Sequence, residues 1–248
     1  MFRLLPPRRI SSIRKFDTYA FTIGNAQITA LSDGTVPQDL HKLLHGTTND
    51  NTDALLRRSC LSNPVAASLN VFLLRIGGRT ILAGTGAGQL YGSGNGGKLL
   101  ASLSAAHVSP DQATDILLTH LHDDHMGGLV HDGQIVFRNA IVHVGKPNLD
   151  FFLDRSNAAK ANYDMKYFDE SFKTIKRYVD AGKVQAFEGT SEIMAGVTAT
   201  IHSGHTPGSA FYMVESKGQR IVFMGDIVHV AAVQFSQPAI TSPMMSIR

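Results

Sequence analysis

Short runs of alternating apolar and polar residues open the chain and predict β structure. Ala20-Phe-Thr-Ile23 and Gln27-Ile-Thr-Ala-Leu31 flank Gly24-Asn25, a pair suited to a tight turn, so a hairpin is predicted there. A second hairpin is clearer: Asn70 to Ile76 and Arg79 to Ala83 are apolar, β-prone segments joined by Gly77-Gly78. Two hairpins point to a mixed or antiparallel sheet.

Gly84 to Gly97 then holds seven glycines in fourteen residues and reads as a loop. Lys98 to His107 has the spacing of a short amphipathic helix, and Asp115-Ile-Leu-Leu-Thr119 that of a buried strand. Ala140-Ile-Val-His-Val144 predicts another strand. Asn148 to Ala181 carries apolar residues at mostly helical spacing and ends at Gly182, the longest helical region of the chain. Val184 to Phe187, Val197 to His202, Ala210 to Val214 and Arg220 to Met224 supply four more short strands between Gly, Pro or Ser turns. Strands, helices and strands again predict an α/β (α+β) sheet sandwich covered by helices. One domain over 16–248 is expected, with no linker and no tandem repeat.

Composition narrows the class. The 248 residues are 43% apolar and 17% charged, enough to bury a substantial core. No run approaches the roughly 18 consecutive apolar residues of a membrane span, so a soluble protein without a membrane partner is expected. The net charge of +3 sits in the leader: Arg3, Arg8, Arg9, Arg14 and Lys15 precede the first acid, Asp17, and the rest of the chain has two more acids than bases. That distribution gives no footprint for nucleic acid. The leader over 1–15 is predicted to be disordered. It lacks the apolar stretch of a secretory signal, which makes the cytoplasm the default location. Cys60 is the single cysteine, so an internal disulfide and a thiolate zinc site are both excluded.

The chemistry concentrates directly after the Asp115 strand. His120-Leu-His-Asp-Asp-His125 places four potential ligands, His120, His122, Asp124 and His125, within six residues, an arrangement expected of a tight loop rather than a helix. Imidazole and carboxylate suit zinc and similar divalent ions, and paired metals are a known hydrolytic device. Two later turns, Ser203-Gly-His-Thr-Pro-Gly208 and Met224-Gly-Asp226, also follow strands and present one ligand-type residue each, His205 and Asp226. Gly92-Ser-Gly-Asn-Gly-Gly97-Lys98 matches the first seven positions of a phosphate-binding loop. However, Leu99 stands where Ser or Thr would hold Mg²⁺, and no strand leads directly into it. A flexible turn is the better account. Phe151, Phe152, Tyr163, Tyr167 and Phe168 suit either an apolar substrate pocket or core packing. His41, His45, His107, His131, His143 and His202 read as surface or core residues.

Together, Thr119-His-Leu-His-Asp-Asp-His125, Gly127-Gly128, Gly204-His-Thr-Pro-Gly208 and Gly225-Asp226 resemble the metallo-β-lactamase superfamily. Gly225-Asp-Ile-Val-His-Val-Ala-Ala-Val-Gln-Phe235 is most similar to its methyl parathion hydrolase and lactonase-like branch. The resemblance implies an αββα sandwich and one or two divalent metals, typically Zn²⁺. It assigns His120, His122 and His205 to one metal, Asp124 and His125 to the second, and Asp226 to both. It implies hydrolysis of a small ester-like substrate, a lactone or phosphotriester, by a metal-activated hydroxide. Asp124 would orient the nucleophile or pass a proton to the leaving group. A homodimer is compatible with it. Rival readings are a catalytically silent member and a mono-iron sulfur dioxygenase.

Two departures from the pattern shape the expectations. Where relatives carry Asp before Thr-Gly, bracing the metal loop, this chain has Gly84, which is expected to loosen the ligands. Relatives supply a further ligand His well beyond the bridging Asp, whereas 22 residues follow Asp226 here, and Thr241 to Arg248 no longer resembles the family. An incomplete second metal site and a sandwich without its C-terminal edge are expected. His229 is expected to stand beside the ligands rather than join them.

Overall fold

The computed structural model describes residues 18–242. The basic leader lies outside the described residues, as does the Thr241–Arg248 segment beyond Ser242. Both predicted hairpins form. β1 (Tyr19–Ile23) turns at Gly24-Asn25 into β2 (Ala26–Gln38), and β3 (Val65–Ile76) turns at Gly77-Gly78 into β4 (Arg79–Ala83). Between the hairpins lie two short helices without a clear apolar stripe, α1 (Leu40–Leu43) and α2 (Asn49–Arg58). β2 and β3 pair antiparallel along nearly their whole length, with a bulge between Ser32 and Gly34.

Beyond β4 the connections become parallel crossovers. The glycine-rich loop leads to α3 (Leu99–Ala105) and β5 (Asp115–Leu118), and the histidine run forms α4 (Asp123–Met126). A small ribbon, β6 (Val130–His131) with β7 (Gln134–Ile135), precedes β8 (Ile141–Gly145). The long helical region is four pieces: α5 (Lys146–Phe152), α6 (Ser156–Lys160), α7 (Met165–Lys173) and α8 (Ile175–Asp180). The breaks have local causes. Asn162 adopts a left-handed φ of 49°, and Thr174 leaves helical geometry at φ −112°, ψ −88° between α7 and α8. β9 (Val184–Phe187) closes a seven-stranded sheet of order β1-β2-β3-β4-β5-β8-β9, in which β4, β5, β8 and β9 are parallel.

The second sheet is an antiparallel meander of β10 (Thr190–Met194), β11 (Val197–Ile201), β12 (Ala210–Ser216) and β13 (Gln219–Phe223). β10, short and polar, is missed by the sequence pattern, as are the two-residue strands β6 and β7. After β13 a single turn, α9 (Ala231–Gln234), packs near α2.

Burial follows the alternation of side chains across each strand. Val197, Ala199, Ala210, Tyr212 and Val214 meet Ile28, Leu74, Ile81 and Leu117 between the sheets. Leu73, Leu82, Ile116, Leu118, Val142 and Val144 face the other way, under Leu103, Phe152, Phe168 and Tyr178 from the helices. β5 is buried on both sides, which is why it reads as an unbroken apolar run. A smaller cluster of Leu40, Leu56, Val65, Val230 and Val233 ties the two early helices to the segment after β13.

Candidate metal centre

Every predicted ligand sits just past the C-terminal end of a strand. His120 and His122 leave β5, Asp124 and His125 lie in α4, His205 lies between β11 and β12, and Asp226 follows β13. The run is therefore not wholly a loop, since Asp123 to Met126 form one helical turn. That turn is pressed against the glycine-rich segment so closely that a Cβ at Gly127 would lie 2.1 Å from the Ala87 carbonyl oxygen. At Gly128 one would lie 2.0 Å from that of Thr85. Only glycine permits this approach.

The side chains converge. Nδ1 of His122 lies 3.1 Å from Nε2 of His120 and 3.0 Å from Nε2 of His205. Asp226 lies beside them, its Oδ1 3.0 Å from Nε2 of His125 and its Oδ2 3.7 Å from Nε2 of His205. Asp124 is further out, with Oδ1 3.8 Å from Nε2 of His125. Three sets of donor atoms lie within 4.8 Å of one another: His120, His122 and His205; His120, His125 and Asp226; and His205, Asp226 and His229. The structure thus brings five of the six predicted residues into these sets, leaves Asp124 at their rim, and adds His229.

The electrostatics suit a cation. Burial, reinforced by the neighbouring imidazoles, holds His120 and His122 well below the usual histidine range. Burial likewise lowers His205 to about 4. Burial also opposes charge on His125, yet the carboxylates of Asp226 and Asp124 outweigh it and raise its pKa to about 9. Burial pushes Asp124 up, while the imidazolium of His125 carries Asp226 well below the carboxylate range despite burial. Three neutral rings pointing nitrogen at nitrogen, beside a carboxylate kept ionised, form a donor set that a divalent ion satisfies.

The outward-facing ring atoms are also held. Thr119 Oγ1 lies 3.1 Å from His120 Nδ1, and the Tyr163 hydroxyl hydrogen-bonds Nε2 of His122. Those contacts leave Nε2 of His120 and Nδ1 of His122 for the cluster, the arrangement by which an orienting partner fixes a ligand's tautomer. Asn148 joins two loops: its Oδ1 accepts from the Leu121 amide at 2.8 Å, and its Nδ2 donates to Thr206 Oγ1 and to the Pro207 carbonyl, each at 2.6 Å. Asp123, fully buried, is paired with Lys166 at 2.9 Å.

Gly84 modifies one expectation. It has φ +79°, and an added Cβ would meet nothing closer than the Asn70 carbonyl at 4.0 Å. The bracing expected of a carboxylate at that position comes instead from Thr85, whose backbone N–H and hydroxyl both donate to the His125 carbonyl, at 2.8 and 2.9 Å. What Gly84 leaves is space. It lines a cleft of about 350 Å³ shared with Asp124, His125, Asp226, Phe72 and Val230.

Of the other signals, Phe152 and Phe168 are core residues, with Phe151, Tyr163 and Tyr167 packed against them. Within the phosphate-loop match, the Gly97 N–H is taken by the buried carboxylate of Asp33 at 3.0 Å, which also takes those of Ala87 and Leu99 at 2.8 Å, leaving these amides nothing to offer an anion. His143 is buried against Asp115 at 3.0 Å, and His202 stacks on Phe211. Thr85 and Asn148 went unseen in the sequence as parts of the site, and Tyr163, which read as pocket or core, was not seen as a partner of His122. Only Thr85, inside Gly84-Thr-Gly86, carried a local signal.

Comparison with known proteins places this geometry. Residues 67–238 match the family described as the metallo-beta-lactamase superfamily. Among solved structures, the hydrolase AbOPH, in the beta lactamase superfamily, is 34% identical, with 93% of this chain and 80% of that chain covered and a TM-score of 0.84. AidC, a dizinc quorum-quenching lactonase, is 22% identical over 90% of this chain and 79% of its own, with a TM-score of 0.78, a likeness of fold. Among curated proteins, cleavage and polyadenylation specificity factor subunit 3-I of Arabidopsis thaliana is 27% identical over 126 residues, which is 48% of this chain and 18% of that protein. With a family match over most of its length, a close structural relative and the ligand types at the strand ends, the chain belongs to the metallo-β-lactamase superfamily.

Proposed function

We propose that the protein is a metal-dependent hydrolase of small ester-like substrates, lactones or phosphotriesters. The observation that carries this reading is the convergence of His120, His122 and His205 beside the paired His125 and Asp226, at the edge of an open cleft. His120, His122 and His205 would hold one divalent ion, zinc by its donor chemistry, Asp124 and His125 a second, and Asp226 would serve both. When bound, such ions acidify water towards neutrality and polarise a carbonyl or phosphoryl oxygen. The chain's own groups supply the rest. Asp124, at the rim of the cleft, is placed to orient the attacking water or hand a proton to the leaving group. Phe72, Leu69 and Val230 give the cleft an apolar wall against which a substrate's non-reacting part would rest. The AbOPH and AidC likenesses support a hydrolase of this kind.

Elemental analysis of purified protein, with lactone and phosphotriester hydrolysis assays and His120→Ala as control, tests the reading. Bound divalent metal and turnover that disappears in the variant are expected. Protein that binds metal yet hydrolyses neither class, or that carries iron and consumes oxygen, would overturn it.

A further inference from the structure

His229 is the histidine of the cluster that the ligand pattern leaves over. Its Nε2 lies 3.4 Å from Asp226 Oδ2, the oxygen that also faces His205, and its ring centroid is 5.4 Å from that of His205. A spacing of 3.4 Å is long for a charge-assisted hydrogen bond, but two ligands of one tetrahedral ion at about 2.0–2.1 Å from the metal stand roughly 3.3 Å apart.

The residue is also held as ligands are held. Ser242 Oγ lies 2.6 Å from His229 Nδ1, so an Nδ1–H can donate to the hydroxyl and leave the Nε2 lone pair facing the carboxylate. The backbone is fixed too: the N–H groups of His229 and Val230 both donate to Gln234 Oε1, at 2.7 and 3.1 Å, and Gln234 is itself buried. A histidine anchored at two points, with its Nε2 facing a carboxylate and its ring beside a second imidazole, has the environment of a ligand rather than of a bystander.

We propose that His229 is a metal ligand of this chain, completing a donor set with His205 and Asp226. It serves the Oδ2 side of Asp226, while His125 serves the Oδ1 side. The proposal rests on the reading above that the cluster holds divalent metal.

Titration of metal-free protein with Co²⁺, followed by its visible ligand-field bands and by calorimetry, tests it without recourse to turnover. His229→Ala is expected to lose one binding step or weaken it by more than the roughly 10–100-fold typical of a lost orienting partner. Ser242→Ala, which keeps the ring but frees it, should weaken the same step by a smaller factor. Superimposable titrations of wild type and His229→Ala would sink the proposal while leaving the hydrolase reading intact. Wild-type protein that takes up no Co²⁺ would sink both. Should His229→Ala fail to fold, zinc loading of wild-type protein with ¹⁵N-labelled imidazoles decides the matter. A coordination shift at His229 Nε2 supports the proposal, and its absence overturns it.

Discussion

The hydroxyl of Tyr163 holds the Nε2 edge of His122, and this contact turns the opposite nitrogen, Nδ1, towards both His120 and His205. The two residues are 41 positions apart, Tyr163 in the connection between α6 and α7 and His122 just before α4, so the helical layer reaches down to orient one ring of the cluster. Burial raises the pKa of Tyr163, so its hydroxyl stays protonated and neutral at every pH of interest. Tyr163→Phe removes the contact and little volume. Zinc affinity, read by competition with a chromophoric chelator, is expected to fall by roughly 10–100-fold while the fold persists. Unchanged affinity would show that packing alone orients His122.

Asn148 carries a heavier structural burden. Asn148→Ala leaves the buried Leu121 amide unpaired and frees the Thr206-Pro207 turn from the histidine run, at a cost of roughly 2–4 kcal/mol. Asn148→Asp keeps the acceptor for Leu121 but loses both donated bonds. Urea unfolding should rank wild type above the Asp variant and the Asp variant above Ala. A different order would mean that the link between the two loops matters little.

Asp33 is buried beneath the glycine-rich loop and accepts three backbone N–H groups. Asp33→Ala orphans all three amides and is expected to lower the urea midpoint by an amount equivalent to roughly 3 kcal/mol. Because Gly86, Gly127 and Gly128 pack in the same place, the loss should also appear as faster amide exchange in the histidine run. Protection unaltered at His120 to His125 would separate the loop from the site.

Acid stability has an identifiable contributor at the opposite end of β5. Burial of Asp115 favours its neutral form, but the contacts of His143, Thr114 and Arg79 prevail and lower its pKa to about 2. A depressed carboxylate stabilises the fold above its unfolded pKa of about 4, and that contribution is lost as pH falls through about 2. A shift of that size corresponds to at most about 2 kcal/mol. In Asp115→Asn the slope of unfolding free energy between about pH 4 and pH 2 should be shallower than in wild type. Parallel slopes would contradict the assignment.

Legibility in the sequence tracked how local each cause is. The hairpins showed because alternation and glycine turns are short-range signals, and β5 showed because burial on both faces writes an apolar run. His120, His122, His205 and Asp226 were visible as short motifs at strand ends. The three breaks in the long helical region were not, since Asn162 and Thr174 leave the helix by backbone choices that apolar spacing does not encode. β10 is polar, and α2 has few apolar residues beyond Leu55 and Leu56. Asn148, Tyr163 and Ser242 reach the site from distant positions, so their parts appear only once the chain is folded.

The two sheets contribute to the cluster separately: His120, His122 and His125 follow the seven-stranded sheet, whereas His205 and Asp226 follow the four-stranded one. An ion held between them is therefore a clasp across the sandwich's open rim, and its binding energy is drawn on by the contact between layers. By mass action, free metal at one hundred times its dissociation constant adds about 2.7 kcal/mol to the folded state. The melting temperature of a protein that binds metal there would rise with the free metal around it, in addition to what the apolar contact between the sheets provides.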